Sequence, residues 1–320
     1  EDLVGVGASY SLTAKSALGL TLFGSSFSQR YLRTVDLGLY GDPTLNDTVP
    51  TLAGYLSTER GDVYNLGLLA KLGYFHSGER TQWGVTVTVP RMSTRLVTGT
   101  MYKATTITGA DGAVEKHLLS GDDLPTRFNT PWMVDAGLET HAGTAVWAFR
   151  VGYAARVEAY DRMALHKQED LTQGALPPVD GTLRRVRSAS VSVLNGAIGA
   201  QFRLSAMADL LAGARTDLNH LDRSAVDAAT DIAGTFSYWD LYHVSCGVAL
   251  HSERVKLTTG LVYSFGRDTS TPTDFDVAGD FISIAGDVPF RTTYDQLGVT
   301  FGFSYFVLGK TNAPAAPTTP

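Results

Sequence analysis

The chain has 320 residues, of which 18% are charged and 33 are glycine, and its formal net charge is −6. That balance removes an electrostatic case for nucleic acid, and a single cysteine, Cys246, excludes an internal disulfide framework. No run approaches the roughly 18 apolar residues of a membrane helix, and Glu1-Asp2 reads as opening directly on a strand-like pattern, with no leader expected. Such a chain is soluble, or it crosses a membrane by the other permitted route, a closed β-barrel.

Period-two alternation starts at once. Val4, Val6, Ala8, Tyr10 and Leu12 alternate with Gly5, Gly7, Ser9 and Ser11. The same pattern returns at Leu18–Leu22, Tyr64–Tyr74, Trp83–Val89, Trp132–Leu138 and Trp147–Tyr153. Weaker versions lie near 188–203 and 206–217, and strong ones at Val244–Leu250, Val255–Phe265 and Leu297–Val307. Counting 82–107 as one strand through Pro90 gives about eleven strands, each long for a soluble sandwich. One face of each is uniformly apolar. The other carries Gly, Ser, Ala and Thr with scattered charges, where a water-facing sheet would be dense in Lys and Glu. Tyr64, Tyr74, Trp83, Trp132, Tyr153, Tyr263 and Tyr305 sit near strand ends, as interfacial girdles require. The pattern predicts an all-β fold, a transmembrane antiparallel barrel over residues 1–308. The Pro/Ala/Thr-rich stretch 309–320 reads as a disordered periplasmic tail.

Connections alternate in length. Short turns are expected at Thr13–Ser16, His76–Thr81, Ala142–Thr144, Leu204–Ser205 and Ser252–Arg254. Long polar ones are expected near 32–61, 108–130, 159–187, 218–238 and 267–294, with a short helix within 218–230. In bacterial outer-membrane barrels short turns are periplasmic and long loops extracellular. That rule places the C-terminus in the periplasm and Glu1 on the outer side. An odd count then implies further strands before Glu1, or another chain closing the barrel; a miscount at Pro90 or within 218–238 is the alternative.

Three stretches carry a resemblance. Residues 63–102 contain Leu69-Ala70-Lys71-Leu72-Gly73, a short turn, Trp83-Gly84-Val85 and then Pro90. Residues 124–153 show a proline-led entry, a Gly-centred strand and a tight turn, and 239–266 look like a penultimate hairpin. Together they resemble the FadL-type outer-membrane transporters of long-chain fatty acids and hydrocarbons. The resemblance implies fourteen strands, a plugging N-terminal hatch, passive uptake of a hydrophobic small molecule such as a fatty acid, and no catalysis. The Asn-Pro-Ala motif that opens the family's hatch does not occur here.

Asp135, Glu139, Arg150, Arg156, Gln201, Arg203 and Lys256 are the expected lumen-lining residues. Cross-strand neighbours reach one another, so Arg150 is expected to pair with Asp135 or Glu139. These groups could hold a carboxylate head or simply form the ion pairs of a wet lumen. Lys71, Asn195 and Arg215 belong to the same face. His243 and His251 are too far apart along one strand to share a metal, and Cys246 falls on the lipid side as an inert small hydrophobe. Asp268, Asp274, Asp276 and Asp280 crowd one loop without a calcium-loop pattern. Arg184, Arg185 and Arg187 are either a basic strand end or a contact for lipopolysaccharide phosphates. No hydrolase elbow, phosphate loop or paired-cysteine site is present, so neither cofactor nor metal is expected.

Gln296, Gly298, Phe301 and Phe303 match the insertion signal that ends bacterial outer-membrane barrels. The expected partners are outer-membrane lipid and lipopolysaccharide, a hydrophobic ligand, and whatever closes the barrel. A structural subunit of a larger complex and a general diffusion porin are the other two functional readings.

Overall fold

The computed structural model describes residues 1–38, 52–94, 96–109, 112–165, 169–170, 183, 185–225, 231–233, 239–252, 254–270, 275–277, 282–284 and 290–305. Among them no helix is long and apolar enough to cross a membrane.

The wall begins with β1 (Asp2–Thr13), β2 (Ser16–Gly38) and β3 (Leu52–Ser77). The fourth pass is broken into β4 (Thr81–Thr88), β5 (Met92–Ser93) and β6 (Thr98–Gly109), all paired to β3. The fifth is β7 (Val114–Pro125) followed by β8 (Met133–Ala142), and the sixth is β9 (Ala145–Ala154) followed by β10 (Val157–Met163). After a bridge strand, β11 (Glu169–Asp170), the seventh pass is β12 (Arg185–Ser190) and β13 (Val193–Ser205). The eighth is β14 (Ala208–Asp217), then a three-residue strand β15 (Asp231–Ala233), then the ninth, β16 (Asp240–His251). The tenth is β17 (Val255–Ser270), a small hairpin β18 (Phe275–Val277) and β19 (Ile282–Ile284) follows, and β20 (Phe290–Tyr305) is the eleventh.

Every neighbouring pair in the wall is antiparallel. An odd number of passes makes β1 and β20 run the same way. Among the described residues β1 pairs only with β2 and β20 only with β17, so the sheet does not close.

The turns fall where the alternation places them, at 13–16, 77–81, 142–145, 205–208 and 251–255. The long connections are shorter than the sequence pattern predicts. β2 and β3 continue to Gly38 and Leu52, and β6 and β7 fill most of 108–130 with a hairpin through Gly112 at φ 81°. The expected helix in 218–230 is a single 3-10 turn, Arg223–Ala225, with 226–230 outside the described residues. Residues 306–320 also lie outside them, and so do Asp274, Asp280 and Arg184.

The outward face of the lower wall is apolar and bare. Val6, Leu22, Leu72, Val151, Val244, Leu261 and Val299 are all exposed, as a surface solvated by lipid should be. Aromatic pairs mark both rims. Tyr74 and Trp83 (5.2 Å) and Trp147 and Phe202 (5.6 Å) lie at the turn end; Trp132 and Tyr153 (5.3 Å) and Tyr242 and Phe265 (5.7 Å) lie at the other. Cys246 is exposed on this face, between its register partners Ala212 and Leu261.

Beyond the second rim the hydrophobic side changes over. In the upper parts of β2, β3, β6 and β7 the outward residues include Arg30, Thr58, Arg60, Thr100 and Thr106 beside exposed Leu32, Leu56 and Tyr102, while Tyr31, Val63, Met101 and Leu119 point inward and are buried together with the polar Glu59 and Lys103. They pack with Leu124, Met163, Leu183 and Val186 in one small core. This extension stands on the same strands as the belt, in unbroken register between β2 and β3.

Candidate ligand site under the cap

The upper core requires β10 and β12 to leave the wall. The last wall pair of passes six and seven is Ala154 with Val193, and the first pair beyond it is Val157 with Ser190. Between them Ala155–Arg156 and Val191–Ser192 carry no strand pairing. At the same height pass four breaks around Pro90–Val97 and pass five between Pro125 and Pro131. Proline cannot donate to a ladder, and Pro90, Pro125 and Pro131 stand at these breaks, so 82–107 is not the single unbroken strand expected through Pro90. Above the breaks β10, β12 and β15 form a separate three-stranded sheet.

That sheet folds inward across the mouth. Arg162 of β10 donates from Nη1 to Gln29 Oε1 at 2.8 Å and lies 5.3 Å from the Phe27 ring. Phe27 and Gln29 belong to the inward face of β2, four passes away along the wall. Met163 packs on Tyr31 and Val63 from the same side. The Tyr160 hydroxyl accepts from Asn129 N at 3.0 Å, tying the cap to the break in pass five.

Beneath the cap lies a cavity of about 350 Å³, lined by Phe27, Phe128, Tyr160, Arg162, Ser188 and Leu221 among others. Phe27 and Phe128 stack, with centroids 4.0 Å apart and planes 9° from parallel. Arg162 is only 7% exposed. Its Nη2 donates to Ser188 Oγ at 3.2 Å, but its buried Nε has no partner among the described residues. Burial pulls its pKa down, with Tyr160 opposing the shift; an arginine starts so high that it stays charged. No carboxylate pairs with it among the described residues. A buried cation without a counter-ion is costly, and a guanidinium offers a fork that suits a carboxylate.

Arg91 shows the contrasting arrangement. It sits in the break of pass four with its side chain fully buried. It donates to Ser25 Oγ (2.8 Å), Asn65 O (3.0 Å), Ser93 Oγ (3.1 Å), Phe128 O (3.0 Å) and Asn65 Oδ1, with Glu1 Oε1 at 3.5 Å. Its guanidinium packs on Gly67, where a Cβ would stand 2.6 Å from Cζ. Arg91 holds strands together; Arg162 faces a cavity.

The lumen residues expected from sequence line the lower wall instead. Arg150 binds Asp135, with Nη2 at 2.6 Å and Nε at 3.0 Å. Glu139 sits 3.3 Å from His141 rather than with Arg150. Asp135 and Arg150 share a smaller hollow of about 260 Å³ with Asn195, Arg215, Thr216 and Asp217. Near the turn end Asp209 collects Gln201 (2.6 Å), His251 (2.5 Å) and Arg203 (3.9 Å), while Lys256 is the register partner of His251. His243 bonds Ser264 Oγ at 2.7 Å. Arg156 lies in the bend between β9 and β10, near Glu158 (3.3 Å) and Asp222 (3.6 Å), and does not join the others. On β20, Gln296 accepts from Tyr294, and Phe301 and Phe303 are exposed outward beyond Gly298. None of the seven expected lumen residues lines the cavity under the cap.

Antiparallel passes with an apolar, aromatic-girdled exterior make the wall of an outer-membrane β-barrel, left open between β1 and β20 among the described residues. No protein-family model matches the chain, and no curated protein matches it. Solved structures do. A Pseudomonas aeruginosa FadL homologue is similar at a TM-score of 0.57, with 12% identity over 95% of this chain and 67% of that one. The deltaS2S3 mutant of the monoaromatic hydrocarbon channel TodX is similar at 0.51, with 14% identity over 95% of this chain and 70% of that one. The chain has the fold of the FadL-type outer-membrane transporters.

Proposed function

We propose that the chain is an outer-membrane transporter for passive uptake of hydrophobic small molecules, with long-chain fatty acids or similar amphiphiles as cargo. The short turns would then face the periplasm, with the C-terminus there. The observation that carries the reading is the cavity under the cap, where the stacked Phe27 and Phe128 rings pack against a buried guanidinium that has no carboxylate partner among the described residues. A hydrocarbon body suits the rings, and an anionic head suits Arg162. One structural neighbour is described as a monoaromatic hydrocarbon channel, which supports a hydrophobic cargo. Asp135, Arg150, Gln201, Arg203 and Lys256 would form the polar wall the cargo descends past, with no bond made or broken.

Open edges in lipid leave backbone groups unpaired at several kcal/mol each. Pairing of β1 and β20 by further strands, on this polypeptide or another, is therefore part of the reading. The test is binding to the protein purified in detergent or bilayer discs. A C16 carboxylate should bind, and Arg162→Ala should weaken it about tenfold, the scale of one charge-assisted contact. The matching neutral alkane should be indifferent to the change. Porin-level conductance in planar bilayers, or no binding of either molecule, would count against it.

A further inference from the structure

The outward face just above the belt carries a charged group that the uptake path does not use. Along β3 the outward residues run Tyr74, Leu72, Ala70, Leu68, Leu66 and Tyr64. Ten residues of tilted strand cover about 25 Å, the height of an outer-membrane apolar band. The next two outward residues are Asp62 and Arg60, and the register partner of Asp62 is Arg30 on β2. They stand at headgroup level.

Arg30 Nε lies 2.5 Å from Asp62 Oδ1, and Arg60 Nη2 lies 3.0 Å from Asp62 Oδ2. Two guanidiniums therefore share one carboxylate, leaving one positive charge in excess. Asp62 is largely covered, whereas the side chains of Arg30 and Arg60 are 63% and 49% exposed. Each keeps outward N–H groups after serving Asp62. Tyr102, the register partner of Arg60, and Leu32 flank the pair and are exposed on the same face. Ion pairs whose arginines are half-exposed add only modest stability, and the outward N–H groups of both arginines take no part in them. A planar, permanently charged fork at headgroup depth matches phosphate.

We propose that Arg30 and Arg60 form a binding site for the phosphate groups of lipid A, with the Asp62 carboxylate between them as the group the phosphate competes with. The proposal rests on the membrane-barrel reading above but not on any cargo. The experiment is titration of the protein in bilayer discs of neutral lipid with bis-phosphorylated lipid A. Arg30→Ala and Arg60→Ala should each weaken binding about fivefold, the worth of one basic residue at a lipid surface. Asp62→Asn should strengthen binding, because it frees both forks. Thr34→Ala, higher on the same face, should change nothing. Dephosphorylated lipid A and phosphatidylglycerol should bind at least fivefold more weakly than bis-phosphorylated lipid A. Equal binding by the arginine variants, unchanged or weaker binding by Asp62→Asn, or equal binding of phosphatidylglycerol would each overturn the proposal. The uptake reading fails on a different measurement, cargo binding by the same discs.

Discussion

The belt and the extension are built from the same strands by opposite rules. On β3, Leu66, Leu68 and Leu72 point outward and are exposed, and the facing residues Asn65, Gly67 and Lys71 point inward. A few residues higher, Val63 and Tyr55 are the buried apolar groups and point inward, while Arg60 and Thr58 point outward. The backbone alternation never loses its phase between these regions. What changes is the solvent outside the wall. In lipid the apolar side is the exterior; above it the exterior is wet and the apolar side packs beneath the cap. Strand periodicity therefore says which residues share a face, and only the surroundings say which face is greasy.

That contrast can be broken from either half. Leu124, fully buried in the upper core with Met163, should give the largest effect. Leu124→Ala should cost about 3–4 kcal/mol by leaving a cavity. Hydrogen exchange should then show β6, β7 and β10 opening while β16 and β17 stay protected. Loss of protection in both halves together would mean that they are one cooperative unit. Next comes a charge in the belt. Leu261→Arg should lower bilayer-folded stability by about 3 kcal/mol in denaturant titrations, whereas Thr34→Arg on the outer face of the extension should stay within about 0.5 kcal/mol. Equal penalties would show that the extension is also immersed in lipid.

The smallest expected effect is one of pH. Burial would raise the Asp62 carboxyl, but hydrogen bonds from Arg30 and Arg60 outweigh it and hold its pKa below the ordinary 3.8. Its stabilising contribution is thus complete above about 3.8 and is lost as the pH falls through its lowered folded value. Exchange protection at 58–62 should drop in acid at lower pH than that of unpaired carboxylates, and Asp62→Asn should remove the dependence.

Much of the wall was legible from its residues. Alternation such as Val244–Leu250 against Gly247 marks a strand with one lipid face, and the five short turns follow from where it stops. The extension was hidden because a search for outward apolar residues ends at Tyr64. Residues 108–130 look like a polar loop by that rule, although the strand of Val114–Pro125 fills half of them. The cap was hidden for the same reason. Glu158, Tyr160 and Arg162 alternate with Val157, Ala159 and Asp161 in β10, but neither set is apolar. Arg162 gains its meaning only from Gln29 and Phe27, residues more than 130 positions away that no local pattern connects to it. Arg150 and Asp135 were within reach of sequence reasoning because one tight turn joins their strands.

The β2–β3 hairpin runs for 23 paired positions without a register shift. A slip of one residue would turn every side chain over at once. Lys71 and Asn65 would face the hydrocarbon of the membrane, and Tyr31 and Val63 would face water. Two unrelated environments thus inspect the same alignment, one at each end of a single ribbon. Neither end can be shifted without shifting the other, so the register of the hairpin is specified twice over.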